Sequence, residues 1–196
     1  MALSSLTSKA TNQRNEVVKK AIFFDRDGVL NHLVDHDGEM TAPWHIDEFR
    51  FIEGAGDAIE LANDMGYLSL VVTNQPDVYD GKLSIHHLKM MMKMCIQWLN
   101  ATDALVAFER GSAWYKPNNG MLETFIRGYK IDRGQSYIIG DRWKDIVAGH
   151  KSRLTTIYVG PEPYSSPEKY QHIYPDHIAS NVLQACFLIA EMNPDD

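Results

Sequence analysis

From Lys20 onward, short β-rich apolar runs alternate with segments of helical period, the pattern of a parallel sheet covered by helices on both faces. Residues 21–24 form the first predicted strand, which ends at Asp25. Residues 68–72 form the second, ending at Thr73, and 104–108 the third. Residues 137–139 form the fourth, ending at Gly140-Asp141, and 156–159 the fifth. Between strands, Ala58, Ile59, Ala62 and Met65 recur at helical spacing within 53–65, and Gly66 supplies the stop. Ser84 reads as a helix N-cap, with Ile85, Leu88, Met92, Cys95, Ile96 and Leu99 as the apolar stripe behind it. Core packing accounts for that Met and Cys stripe. Helices are also predicted over 121–129 and 182–192, the last docking on the body of the fold. The expected architecture is α/β, a doubly wound Rossmann-like parallel sheet in one domain over 19–196. Residues 1–18, rich in Ser, Thr, Asn and Gln, are expected to be a disordered lead.

This pattern brings distant polar residues together. Asp25, Thr73 and Asp141 each stand immediately after a predicted strand, and in an open parallel sheet the carboxyl ends of the strands line the rim where ligands bind.

Composition narrows the classes. At 196 residues, with 44% hydrophobic and 23% charged residues, the chain is long enough for one ordinary globular core. Its net charge of −7 works against nonspecific capture of nucleic acid or anionic membrane. Cys95 and Cys186 are too few and too far apart for a disulfide framework or a cysteine-rich zinc site, which fits a reducing compartment such as the cytoplasm. No apolar stretch approaches the roughly 18 residues of a membrane span. The lead lacks the apolar run of a secretory signal, while Lys9 and Arg14 without acids before Glu16 keep an organellar transit peptide open.

Asp25-Arg26-Asp27-Gly28 sets two carboxylates two residues apart where a strand becomes a loop. A carboxylate attacks phosphorus well when a divalent cation offsets the phosphoryl charge, and a second acid can protonate the leaving oxygen and later deprotonate water. Solvated turn chemistry is the bland alternative for an Asp-Gly pair. Thr73-Asn74-Gln75 adds a hydroxyl and backbone N–H donors at the next strand end, and Lys116-Pro117 a cation on a loop before a helix. Asp141 and Asp145, four residues apart across a helix start, make with Asp25 a hard-oxygen set suited to Mg²⁺. The run His32, Asp35, His36, Asp37, Glu39 and His45 lacks the fixed ligand spacing of zinc sites and is expected to be a solvated specificity loop.

FFDRDGVLN from Phe23, VVTNQ from Val71, KPNNGM from Lys116 and IGDRWKDI from Ile139 resemble the four motifs of the haloacid dehalogenase superfamily of aspartyl-phosphate phosphohydrolases. The likeness covers about residues 20 to 160. Within that superfamily, DRDGVLN, TNQP and KP followed by GM look most like the histidinol-phosphate and heptose-bisphosphate phosphatase branch. The resemblance implies Asp25 as nucleophile, Asp27 as general acid and base, and Thr73 with the Asn74 backbone as phosphoryl binders. It implies Lys116 as the charge that steadies nucleophile and phosphate. It also implies Mg²⁺ held by Asp25, the Asp27 backbone carbonyl and Asp141, with Asp145 acting through water or behind the ligands.

Three departures from that branch stand out. Residues 108–115 contain neither Cys nor His, so the zinc loop of many heptose-bisphosphate phosphatases is not expected and no structural zinc is predicted. Tyr115 stands where family members often carry Arg, and Asp80-Gly81 where they carry Arg-Gly; Arg110 is the nearby candidate to replace the lost cation. About 45 residues separate Asp27 from Thr73, too few for a large cap domain. The expected partner is a small phosphorylated metabolite, a sugar or polyol phosphate of the heptose-bisphosphate kind. Histidinol phosphate and a polynucleotide 3′-phosphate are the alternatives. Residues 31–44 and 77–82 are expected to rim the site, and their Asp35, Asp37, Glu39, Asp77 and Asp80 against Lys82 alone predict a strongly negative lining that repels a polyanion. A phosphoacceptor receiver, a switch of related fold, is disfavoured by Asp27, because a long-lived phosphoaspartate needs no proton donor.

Overall fold

The computed structural model describes residues 18–194, so the expected lead at 1–18 lies, apart from Val18, outside the described residues. In chain order the elements are β1 (Ala21–Phe24), β2 (Val34–His36), β3 (Glu39–Thr41), α1 (Ala55–Asp64), β4 (Leu68–Asn74), α2 (Pro76–Tyr79) and α3 (Ile85–Gln97). Then come β5 (Asp103–Ala107), α4 (Gly120–Tyr129), β6 (Tyr137–Gly140), α5 (Trp143–Ser152), β7 (Thr155–Tyr158), β8 (His177–Ile178) and α6 (Val182–Met192). Six strands form one parallel sheet in the order β5-β4-β1-β6-β7-β8.

β1 is apolar throughout because it is buried on both faces. Alternation of its side chains sends Ile22 and Phe24 into a core with α1, α3 and α6, and Ala21 and Phe23 into a second core with α4. α3 starts at the expected Ser84, whose hydroxyl accepts from the His87 N–H. Its buried stripe is rotated relative to expectation: Ile85 at the helix entry is exposed, while Met91 is fully buried.

The chain moves outward from β1 through β4 to β5, then crosses back to β6 on the other side. The switch point therefore falls at the carboxyl ends of β1 and β6, the crevice position for ligands in such sheets. Between β1 and β4 the histidine-rich segment, expected as a loop, folds as the β2–β3 hairpin. Asp37 (φ 57°) and Gly38 (φ 87°) make its two-residue turn, the left-handed pair such a hairpin needs. No helix of the described chain is long and apolar enough to cross a membrane.

Candidate active site

Asp25 follows β1, and its backbone N–H still donates to the Ile139 carbonyl of β6 (3.0 Å), so the sheet itself fixes the position of this residue. The loop after it folds on Arg26, whose carbonyl accepts from the N–H groups of Val29, Leu30 and Asn31. Gly28 (φ 86°) permits that turn, and a Cβ on it would lie 2.2 Å from Asp141 Oδ2, so the absence of a side chain brings the first loop against the fourth motif.

Lys116 is buried, and its Nζ lies 2.9 Å from Asp25 Oδ1, 2.6 Å from Asp145 Oδ1 and 2.8 Å from the Val72 carbonyl it donates to. The Asn74 side chain holds the Lys116 backbone from both sides, donating to its carbonyl and accepting from its N–H, each at 2.9 Å. Asp145 sits in the first turn of α5, where its Oδ2 accepts from the Arg142 N–H (3.2 Å) and the positive end of the helix favours its charge.

Asp25, Asp141 and Asp145, all buried, can each turn an oxygen to within 4.8 Å of the others. Burial, then repulsion from Asp145, pushes the Asp25 carboxyl up to about 6 despite Lys116. Burial, then Asp25 and Asp145, pushes Asp141 up to about 8. For Lys116, burial opposes the charge, but the two carboxylates outweigh it and hold the ammonium above its ordinary range. Three carboxylates against one ammonium leave net negative charge in a dry place. Asp141 Oδ1 is also buried with no hydrogen-bond partner. A hard divalent cation satisfies both features, so the residues present fit one.

Asp27 lines the same cleft, with both oxygens held by Arg26, Asn31 and Gln75, and with Thr73 Oγ1 3.5 Å from Oδ2. Arg26 and Gln75 lie inside the quoted motifs, and Asn31, expected on the rim of the site, is instead fully buried. Nothing in their spacing says that their side chains turn inward onto Asp27.

The cleft has a volume of about 320 Å³, and both Met40 of the hairpin and Asp77 of the segment after β4 line it. Its charge corrects the expectation of a strongly negative lining. Asp35 and Asp37 do not reach the cleft, and Asp80 is occupied by Arg110, which donates two hydrogen bonds to it (2.7 and 2.8 Å). Lys82, Arg110, Arg142 and Lys144 line the opening together with the buried Lys116, so five bases face the five acids Asp25, Asp27, Glu39, Asp77 and Asp145. Arg142, the N-cap of α5, and Lys144, in its first turn, both line the cleft, because α5 starts directly after Asp141-Arg142 at the switch point. Burial, then Arg142, lowers the pKa of the half-buried Lys144, whose Nζ lies 5.5 Å from the Tyr115 ring. His36 and His45 are engaged elsewhere. His36 stacks on Trp44 (3.6 Å) and contacts Thr41 and Glu48, and His45 caps the short turn before α1. Cys95 and Cys186 are buried in the core, which pushes their thiols up to about 11 and about 12.

Comparison with known proteins agrees with this geometry. A family model described as HAD-hydrolase-like matches residues 113–185. The chain is 34% identical over 154 residues, 70% of its length and 81% of the relative's, to D-glycero-beta-D-manno-heptose-1,7-bisphosphate 7-phosphatase of Haemophilus ducreyi. It is 30% identical over 177 residues, 80% of its length and 91% of the relative's, to the enzyme of the same description from Pasteurella multocida. Among solved structures, D,D-heptose 1,7-bisphosphate phosphatase of B. bronchiseptica, complexed with magnesium and phosphate, superposes with a TM-score of 0.73 at 20% identity. The match covers 88% of this chain and 99% of that one, a likeness of fold.

Proposed function

We propose that this chain, which belongs to the haloacid dehalogenase superfamily of phosphatases, removes one phosphate from a small sugar bisphosphate of the heptose-bisphosphate class. The observation that carries the substrate class is the cleft. At about 320 Å³ it lies at the small end of the range for small-molecule sites, and it presents Lys82, Arg110, Arg142 and Lys144 outside the buried Asp25–Lys116 pair. One phosphoryl group fits beside Asp25 and Lys116, and the outer cations suit a second anionic group on the same small molecule.

In this reading an Asp25 carboxylate oxygen attacks phosphorus, the bond from phosphorus to the leaving oxygen breaks, and Asp27 gives that oxygen a proton. Asp27 then takes a proton from water as the water oxygen attacks the phosphoaspartate, which releases inorganic phosphate and restores Asp25. Lys116 holds Asp25 in place and offsets phosphoryl charge, and the Thr73 hydroxyl and Asn74 N–H bind phosphoryl oxygens. Arg110 serves the outer anionic group by exchanging its Asp80 partner for it. Mg²⁺ is the cation we assign to Asp25, the Asp27 carbonyl and Asp141, with Asp145 behind them; when bound it neutralises charge on the phosphoryl group. Two buried unpaired thiols support action in the reducing cytoplasm.

The test is phosphate release at physiological salt from heptose 1,7-bisphosphate, heptose monophosphates, histidinol phosphate and a 3′-phosphorylated oligonucleotide. The bisphosphate is expected to have the highest kcat/KM, roughly tenfold or more above the monophosphates. Faster turnover of the oligonucleotide than of every sugar phosphate would replace this reading with the polynucleotide one.

A further inference from the structure

Arg26 lies between the two motif aspartates, yet among the described residues it is the largest fully buried side chain. Its guanidinium turns back onto its own neighbour: Nε donates to Asp27 Oδ1 (3.1 Å), and Nη2 donates to Oδ1 (2.7 Å) and Oδ2 (2.9 Å). Among the described residues the hydrogen-bond partners of Nη1 are the thioether sulfurs of Met91 (3.9 Å) and Met92 (3.7 Å), which are weak acceptors. As a packing element this is a poor choice, because an apolar side chain of similar volume fills such a place at no charge cost.

Two more fully buried side chains converge on the same carboxylate. Asn31 donates to Oδ1 (3.0 Å), and Gln75, two residues beyond Thr73, donates to Oδ2 and to Thr73 Oγ1 (2.9 Å). The amide oxygens of both, Asn31 Oδ1 and Gln75 Oε1, are buried without a partner. Each amide thus leaves one end unsatisfied while its NH₂ end holds Asp27.

We propose that Arg26, Asn31 and Gln75 are positioning residues that fix the carboxylate of Asp27 in the orientation its proton transfers require. An aspartate on a tight turn has two free side-chain torsions, and a group that must reach a leaving oxygen within hydrogen-bond distance loses much of its effect if it drifts by an ångström. The fork of Arg26 sets the plane of the carboxylate, and the two amides pin one oxygen each. The pairing of Gln75 with the Thr73 hydroxyl links that orientation to the second motif.

This rests on Asp27 acting as acid and base, so the experiment separates the two ideas. Phosphoenzyme formation is followed in single turnovers with an alkyl phosphate, whose leaving oxygen needs a proton, and with p-nitrophenyl phosphate, whose leaving oxygen does not. Arg26→Lys and Gln75→Met are expected to slow formation from the alkyl ester roughly 10- to 100-fold, with formation from the aryl ester within about threefold and substrate affinity retained. In an Asp27→Asn background both substitutions should have no further effect. Equal losses on the two esters, or losses that add to Asp27→Asn, would reduce the three residues to structural support and overturn the proposal. Should Arg26→Lys fail to fold, Gln75→Met decides, because among the described residues the Gln75 side chain hydrogen-bonds only Asp27 and Thr73. If the wild type discriminates the esters but Asp27→Asn leaves that discrimination intact, the assignment of Asp27 itself falls, and the proposal with it.

Discussion

Lys116→Met tests the electrostatic frame of the site. The substitution keeps an unbranched stem of similar length in a buried slot but removes the ammonium that faces Asp25 (2.9 Å), Asp145 (2.6 Å) and the Val72 carbonyl. Removing one partner of a buried ion pair costs about 3 to 5 kcal/mol, and two carboxylates sharing one ammonium do not add independently, so about 4 kcal/mol is expected. For a chain of this size, about 2 to 4 °C per kcal/mol converts this to a fall in Tm of roughly 8 to 16 °C. The deficit should depend on pH. The freed carboxyls can escape their repulsion only by binding protons, so the folded variant binds more protons than its unfolded chain, and its stability falls as pH rises. Paired melts of wild type and variant in a chelator between pH 5 and 8.5 measure this. A deficit no larger than the roughly 1 kcal/mol of an exposed ion pair, or one equal at both ends of the range, would refute the buried-pair argument.

Asp25→Asn keeps the side-chain shape and removes the nucleophile, so turnover and phosphoenzyme should vanish while the melting curve keeps its cooperativity; residual full activity would reject Asp25. Gly28→Ala puts a methyl group 2.2 Å from Asp141 Oδ2 at a left-handed φ, at a cost of about 1 to 3 kcal/mol. Its Mg²⁺ titration, followed by Tm, should need a higher midpoint, and an unchanged one would show that Asp141 can step aside. Because the Asp25 and Asp141 carboxyls are raised to about 6 and about 8, the metal-free protein binds more protons than its unfolded chain between about pH 4 and 8, so these groups make it less stable as pH rises. Mg²⁺ is expected to flatten that slope, and a slope indifferent to the cation would count against a metal among these acids.

The alternation of the five central strands with helices, the two-sided burial of β1 and the meeting of Asp25, Thr73 and Asp141 at one rim were legible in the sequence, whereas the order of strands across the sheet was not. They depend on side-chain period and on the rule that parallel strands end on one edge, both written locally along the chain. The β2–β3 hairpin, expected as a loop, does carry a local signal in Asp37-Gly38, a pair suited to a two-residue turn. What only the tertiary structure decided is direction. Arg26, one residue from the nucleophile, could have faced solvent, but it is fully buried with Nη1 3.9 Å from the Met91 sulfur of α3. Arg142 and Lys144 reach the cleft because α5 starts beside the switch point, while Asp80 is occupied by Arg110 and the turn of Asp37 lies away from the opening. The charge that a substrate meets is a sum over side chains from five separate segments. No local pattern specifies that sum, because Coulomb energy depends on distances that folding alone sets.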